Sequence, residues 1–376
     1  MSENRGVLPG QRIHAFCEAG YITHAKPSSV SGASLDLHDT DEIYEVDRVA
    51  LPQEGECVQD LLTLMGANGR HDISRPLKAG RKYIAKLSEE IDLPKGFYGY
   101  TNPKSSTGRV DVHARIIADR MPRYDSIEAG FHGKLWIVIE PKSFGIRIPP
   151  GYSFAQARFF NGNTRFSDID LLTNISTEKL VWCPDEKRPL AYEEIPRHDK
   201  DGSIMLTLDI PVEGVVGYRC IATPEDVLNL EHRDVDPYRF FTPIYTDSGV
   251  VNLFKDNFYI LSVRESVRIP PGYAGEMVSM DDRSGEFRSH YAGYLDPGWG
   301  YGKDGEGEGA PFTLEVRPFE NLVIRMGQPI AKIRLERMIE PPVKEFLYAA
   351  RGNASYQVQT AAKLAKQFAP FPPPKS

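Results

Sequence analysis

The chain has 376 residues, 41% of them hydrophobic and 26% charged, with a formal net charge of −7. That balance fits a soluble globular protein long enough for two ordinary domains and excludes a disordered chain. The negative charge argues against a protein that coats nucleic acid, although a local basic pocket for one small anion is compatible with it.

Residues 1–5 lack the charged-then-apolar pattern of a signal peptide, and no apolar run approaches the ~18 residues that span a bilayer. Cys17, Cys57, Cys183 and Cys220 stand far apart with no Cys-x-x-Cys pair. This argues against a zinc ribbon or a disulfide framework and makes a reducing, cytoplasmic location the expectation. Residues 9–19 read as a helix, and residues 31–38 alternate apolar and polar side chains as a half-buried strand does. Residues 57–65 suit a short inserted helix, and 83–87 and 135–139 are strands. Residues 184–202 are polar enough for a linker, and 203–210 echo 31–38. Thr223-Pro224-Glu225-Asp226 reads as a helix start, with Thr as cap and Pro in the first turn. Residues 259–263 and 312–316 alternate again, and 354–368 have helical spacing before a Pro-rich end. Short strands set apart by turns, with 32 Gly and 29 Pro in the chain, favour a barrel or sandwich over alternating βα units.

Two stretches repeat. Tyr83-Ile84 leads through Leu93-Pro94-Lys95-Gly96 to Lys104-Ser105-Ser106-Thr107-Gly108-Arg109. Tyr259-Ile260 leads through Ile269-Pro270-Pro271-Gly272 to Arg283-Ser284-Gly285-Glu286-Phe287-Arg288. The offset is 176 at the tyrosines and glycines, 179 at the arginines, and 176 again at Ala155/Ala331 and Arg158/Arg334. A register held that long indicates tandem duplication of one domain, with the division placed near residue 170.

The repeated element combines cations, hydroxyls and glycine, a set suited to phosphate oxygens, with Arg as a bidentate donor; a solvated turn is the plainer reading. Glu140 and Glu315 end apolar strands, where desolvation raises a carboxyl pKa and prepares it for acid–base work. The residues alone favour edge glutamates that face water. Asp296-Pro297-Gly298-Trp299-Gly300 reads as a turn with an exposed tryptophan, and residues 301–310 as a flexible loop, because their acids would repel phosphate. The zinc-deaminase pattern, His-Glu-x-x-His and Gly-x-Ser-x-Gly are all missing.

Together these pieces resemble the dCTP deaminase family, a branch of the dUTPase-like β-barrels, over about residues 31–159 and 255–359. The resemblance implies a mainly β chain of two tandem dUTPase-like distorted, jelly-roll-like barrels with few short helices, residues 1–170 and 171–376. The first lobe supplies the motif residues Lys104, Ser105, Ser106 and Arg109, then Ala118-Asp119-Arg120. The second supplies Arg283, Ser284 and Arg288, then Asp296-Pro297-Gly298-Trp299-Gly300 and Glu315, and Tyr356-Gln357 looks like the family's closing tail. By resemblance the activity is metal-free hydrolytic deamination of dCTP to dUTP and ammonia. Glu315 or Glu140 would be the general base, Ser284 and Ser105 the orienters of water or ring, and Arg288 and Arg109 the electrostatic partners. Lys104, Ser106, Arg283, Ala118, Arg120, Asp296, Tyr356 and Gln357 would bind substrate. Mg²⁺ would travel with the triphosphate, with no protein-bound zinc; dTTP is the inhibitor the family makes plausible, and trimer-type barrel packing the expected assembly.

The lobes depart from the pattern in complementary ways. Pro122 stands where the family has aspartate, and an insertion separates Arg120 from Gly133. Counted forward, the first lobe's glutamate position falls on Val138; counted back, it falls near Glu140. The second lobe has Gly293-Tyr294 in place of His-Arg. The family builds its sites between neighbouring barrels, so a tandem chain can pair Ser105 and Arg109 with Glu315 and leave the other pairing degenerate. Two alternatives stay open: a dUTP diphosphatase or bifunctional enzyme giving dUMP, and a non-catalytic nucleotide-binding regulator.

Overall fold

A computed structural model describes residues 4–196, 200–211, 213–280, 282–288, 293–348 and 361–372. Strands dominate it. The first lobe contains β1 (Leu35–Leu37), β2 (Lys82–Asp92), β3 (Tyr98–Pro103), β4 (Val112–Ala118), β5 (Ser126–Ile127), β6 (His132–Pro141) and β7 (Ala155–Phe160). The second contains β8 (Ser203–Thr207), β9 (Tyr259–Ser262), β10 (Tyr273–Val278), β11 (Phe287–Arg288), β12 (Tyr294–Leu295), β13 (Thr313–Pro318) and β14 (Pro329–Arg337). The helices are short: α1 (Gly10–Glu18), α2 (Val58–Leu61), α3 (Ser105–Gly108) and α4 (Asp168–Thr177). Among the described residues no helix is long and apolar enough to cross a membrane.

The lobes share one topology. The sheet order β1-β7-β3-β5 recurs as β8-β14-β10-β12, and the run β2-β6-β4 recurs as β9-β13-β11. The registers agree residue by residue: Tyr83 faces Ile139 as Tyr259 faces Val316, and Gly99 faces Ile127 as Gly275 faces Leu295. Even a side-chain contact repeats. The Tyr83 hydroxyl accepts from Lys78 N at 3.0 Å, and the Tyr259 hydroxyl accepts from Phe254 N at 2.8 Å, each five residues upstream.

The same register decides one sequence correspondence that was open and corrects another. Val138 faces Ile84 as Glu315 faces Ile260, so Val138, and not Glu140, is the counterpart of Glu315. Val112 faces Pro141 as Phe287 faces Pro318, so Arg288 matches His113 and not Arg109. The second Ser-x-x-x-Arg stretch therefore lies out of step with the first. Between the matched pairs Asn102/Val278 and Val112/Phe287 the first lobe has one residue more than the second, and a nearby arginine imitates the motif.

Alternation along β2 explains the first lobe's layers. Tyr83, Ala85, Leu87 and Ile91 face the main core, whereas Ile84 faces a satellite cluster with Ile117, Trp136 and Val138. Val58, Leu62 and Met65, from the insertion around α2, cover that outer face. The second lobe has its own core around Leu206, Leu261, Leu314 and Ile333. Phe240, Phe241, Phe258 and Ile260 nevertheless belong to the first lobe's cluster, and residues 227–229 pair in parallel with 145–147.

Helix α4 begins with a reciprocal cap in which Ser167 N donates to Asp170 Oδ2 at 2.8 Å and Asp170 N donates to Ser167 Oγ at 3.3 Å. Thr223, by contrast, starts no helix. Its N–H and hydroxyl both donate to Asp226 Oδ2 at 2.9 Å, and the chain passes directly into the strand at 227–229, where the ladder to 145–147 prevails over local propensity. Residues 361–368 are irregular where helical spacing predicted a helix, and 354–360 lie outside the described residues.

Arg158 joins the lobes from β7. It is fully buried, and its Nε and two Nη atoms donate to the carbonyls of Ala33 (3.3 Å), Gly275 (2.9 Å) and Leu295 (3.3 Å). Its guanidinium also lies 3.3 Å from Glu336 Oε2 and 3.4 Å from Asp296 Oδ1, with the Tyr294 ring 4.1 Å away. Burial pushes the Glu336 carboxyl up to about 7, against the opposing pull of Arg158.

Removing one member of such a buried charge set leaves the others uncompensated. Arg158→Met is expected to cost about 3–5 kcal/mol of folding stability, read from urea unfolding. Glu336 titrates higher in the native state than its ordinary 4.5, so the folded protein binds more protons between that value and about 7. Stability therefore falls as pH rises through that window, and Glu336→Gln should flatten the slope; an unchanged slope would remove Glu336 from the account.

Candidate active site

β3 ends at Pro103, where the chain turns into α3. Lys104 N and Thr107 Oγ1 both donate to Phe154 O at 2.8 Å, which anchors the turn at both ends. Arg109 follows the helix and points away from its own lobe. Only 3% exposed, it reaches Glu315, which is 2% exposed, with Nε 3.8 Å from Oε1. Its Nη1 donates to Lys363 O at 3.0 Å, and Lys363 N donates to Thr313 Oγ1 at 3.2 Å. Thr313 and Glu315 lie two apart on β13 and so share a face.

Arg109, Thr313 and Glu315 line a cavity of about 280 Å³ between the lobes. The first lobe contributes Lys104, Ser105, Ser106 and Arg109, and the second contributes Asp296, Trp299, Thr313 and Glu315. Lys104 Nζ pairs with Asp36, which sits opposite Gln156 on the neighbouring strand. Gly298 holds φ +94, and a Cβ there would meet Tyr348 N at 3.1 Å, so the Asp-Pro-Gly-Trp turn needs glycine. The turn carries Trp299 inward. The tryptophan is 7% exposed and stacks on Phe312 at 5.4 Å, which corrects the expectation of an exposed ring.

The other sequence candidates lie elsewhere. Glu140 meets Lys142 at 2.8 Å and Lys82 at 3.7 Å on the first lobe's own surface. Ala118 is buried at the end of β4 opposite Leu135, and Arg120 is exposed in the turn that follows. Arg283 and Ser284 occupy a turn outside the cavity lining, and Arg288 faces Arg317 across the ladder. Tyr356 and Gln357 lie outside the described residues.

Asp36, Gln156, Thr313, Lys363 and Lys366 were not foreseen. Asp36, polar between Leu35 and Leu37, and Gln156, polar between two alanines, carried a periodic signal; Lys363 and Lys366 carried none. Lys366 lines the cavity, and its amine is lowered by burial and then by Arg233 and Lys104, with Asp36 opposing. The arrangement offers a buried carboxylate beside a fixed guanidinium, two hydroxyls on a turn and two lysines. It suits acid–base chemistry on a small anionic substrate.

Comparison with known proteins agrees. Residues 4–163 match the family described as 2′-deoxycytidine 5′-triphosphate deaminase N-terminal domain, and residues 179–368 match the corresponding C-terminal domain. A solved structure of 2′-deoxycytidine 5′-triphosphate deaminase from Agrobacterium tumefaciens is 31% identical, with a TM-score of 0.79 over 90% of this chain and 99% of that one. Comparison with curated proteins gives no match. With both of its halves matched by this family's domains, the chain belongs to the dCTP deaminase family.

Proposed function

We propose that this protein hydrolyses dCTP to dUTP and ammonia at the inter-lobe cavity, with Glu315 as general base and Arg109 and Ser105 supplied by the other lobe. The observation that carries this reading is the approach of Arg109 Nε to Glu315 Oε1 at 3.8 Å, both groups nearly excluded from water. Glu315 takes a proton from water as the oxygen attacks C4 of the cytosine ring, and returns it to the departing amine. Arg109, held by Lys363 O, stabilises charge that develops on the ring, and a prepositioned donor in a dry site needs no reorganisation to do so. Ser105 orients water or ring, Lys104 and Lys366 face the triphosphate, and Asp296 takes the sugar side of the cavity.

Mg²⁺ belongs to this proposal as the counter-ion of the triphosphate, part of the substrate rather than a resident of the protein. So do inhibition by dTTP, a cytoplasmic location and a trimer-type packing of barrels.

Purified protein with Mg²⁺ and dCTP should release ammonia with one dUTP per ammonia. If dUMP and pyrophosphate accompany the ammonia, the enzyme is bifunctional. No ammonia from folded protein would overturn the deaminase reading. Glu315→Gln should lower kcat on the order of 10²–10⁴-fold, whereas Glu140→Gln should keep wild-type turnover. The reverse pattern, with both variants folded, would sink the assignment.

A further inference from the structure

The register that equates the lobes also locates the image of the catalytic cavity. Residues 277 and 278 correspond to 101 and 102, the same offset carried on sets Met280 at Lys104, and Ser126 corresponds to Tyr294. A second inter-lobe cavity, about 670 Å³, is lined by Met277, Val278, Ser279 and Met280 together with Asp125 and Ser126. Met280 thus stands where the first cavity has Lys104. The equivalent of Glu315 is Val138, packed in the satellite apolar cluster beneath Leu51 and Tyr124, and both of those side chains line the second cavity. This cavity has lost the base and the lysine.

It has gained guanidinium groups. Arg115, Arg123 and Arg165 line it, against the two carboxylates Asp125 and Glu276. Arg115 pairs with Asp125 and lies 4.7 Å from the Tyr124 ring centre. Arg165 lies 3.9 Å from Glu276 Oε2 and 5.6 Å from the Tyr100 ring centre. Three planar, always charged forks suit a polyphosphate, and the flanking tyrosines and Asn102 suit a base. The volume falls within the roughly 300–1,000 Å³ of ligand clefts.

We propose that this second cavity binds a nucleoside triphosphate without turning it over. The proposal extends the nucleotide reading of the first cavity and rests on it. The two cavities share a wall: Met277 lines both, and the Tyr294 hydroxyl in the first donates to the carbonyl of Tyr100 in the second at 2.8 Å. A ligand in the second cavity therefore presses on a residue that shapes the first.

Radiolabelled dTTP in equilibrium dialysis against the wild-type protein tests this, because thymine carries an oxo group where cytosine carries the amine and is not deaminated. Two dTTP per chain are expected, falling to one in the folded Arg123→Glu/Arg165→Glu double variant, with dCTP turnover at low substrate retained; Arg123→Gln/Arg165→Gln serves if the charge reversal perturbs the fold. No dTTP bound by the wild type, or a stoichiometry that both double variants leave unchanged, would overturn the second site. Displacement from that site by inorganic tripolyphosphate as effectively as by dTTP would overturn its nucleotide character. Ammonia release from dCTP tests the first cavity separately, so failure of one reading is distinguishable from failure of the other.

Discussion

The buried guanidinium of Arg158 is the constraint on which the inter-lobe arrangement depends. A charge removed from water is tolerable only when its donors are used, and here the guanidinium reaches the Ala33 carbonyl of its own lobe together with two carbonyls and two carboxylates across the lobe boundary. The boundary therefore has a unique register. Leu295 and Asp296 are held from the first lobe, and Tyr294 is held beneath the guanidinium, so the wall of the cavity is set before any substrate arrives. The counterpart Arg334 shows what this position does without a partner lobe: it pairs with Asp201 at 3.0 Å and remains 21% exposed.

With that boundary set, Arg109 and Glu315 can be buried together. Neither lobe could afford its charge alone in an apolar interior. Each residue reaches the cavity from a rigid element, Arg109 from the end of α3 and Glu315 from a central strand, so their approach owes little to loop conformation. The segment at 361–372 completes the enclosure by main-chain contacts to both sides, Lys363 O to Arg109 and Lys363 N to Thr313, while Leu364, Ala365 and Phe368 anchor it in the first lobe's core.

Much of this was legible in the sequence, and the parts that were not share a physical cause. Strand periodicity and the 176-residue offset revealed the duplication, because burial on one face of a sheet writes itself into alternate residues. Lys104 to Arg109 and Glu315 stood out as polar groups in apolar settings, and the structure gathers them at one cavity. Counting could not decide between Val138 and Glu140, because the insertion before Gly133 destroys linear alignment and only ladder pairing restores it. Arg288 imitated Arg109 because it stands on the strand that follows the second motif, at the position of His113, and only ladder pairing shows that offset. Trp299 looked exposed because a turn motif carries no information about Phe312, which covers the ring from the position just before β13. Lys363 and Lys366 follow no period, so nothing local marks them.

Duplication within one chain changes what such an interface can become. In a symmetric assembly of identical barrels, a substitution at the glutamate position removes every base at once. Here the two positions are separate codons, and Val138 could enter the apolar cluster of Trp136 and Ile84 while Glu315 stayed in the cavity. The apolar choice suits the first lobe: Val58, Leu62 and Met65 cover that face, and an unpaired carboxylate beneath them would lose its hydration with no cation to offset it. The insertion that carries these covering residues and the valine at position 138 thus suit one another within a single apolar cluster. On the proposed reading Glu315 serves one chemical centre per chain, and the second inter-lobe cavity is lined by arginines instead.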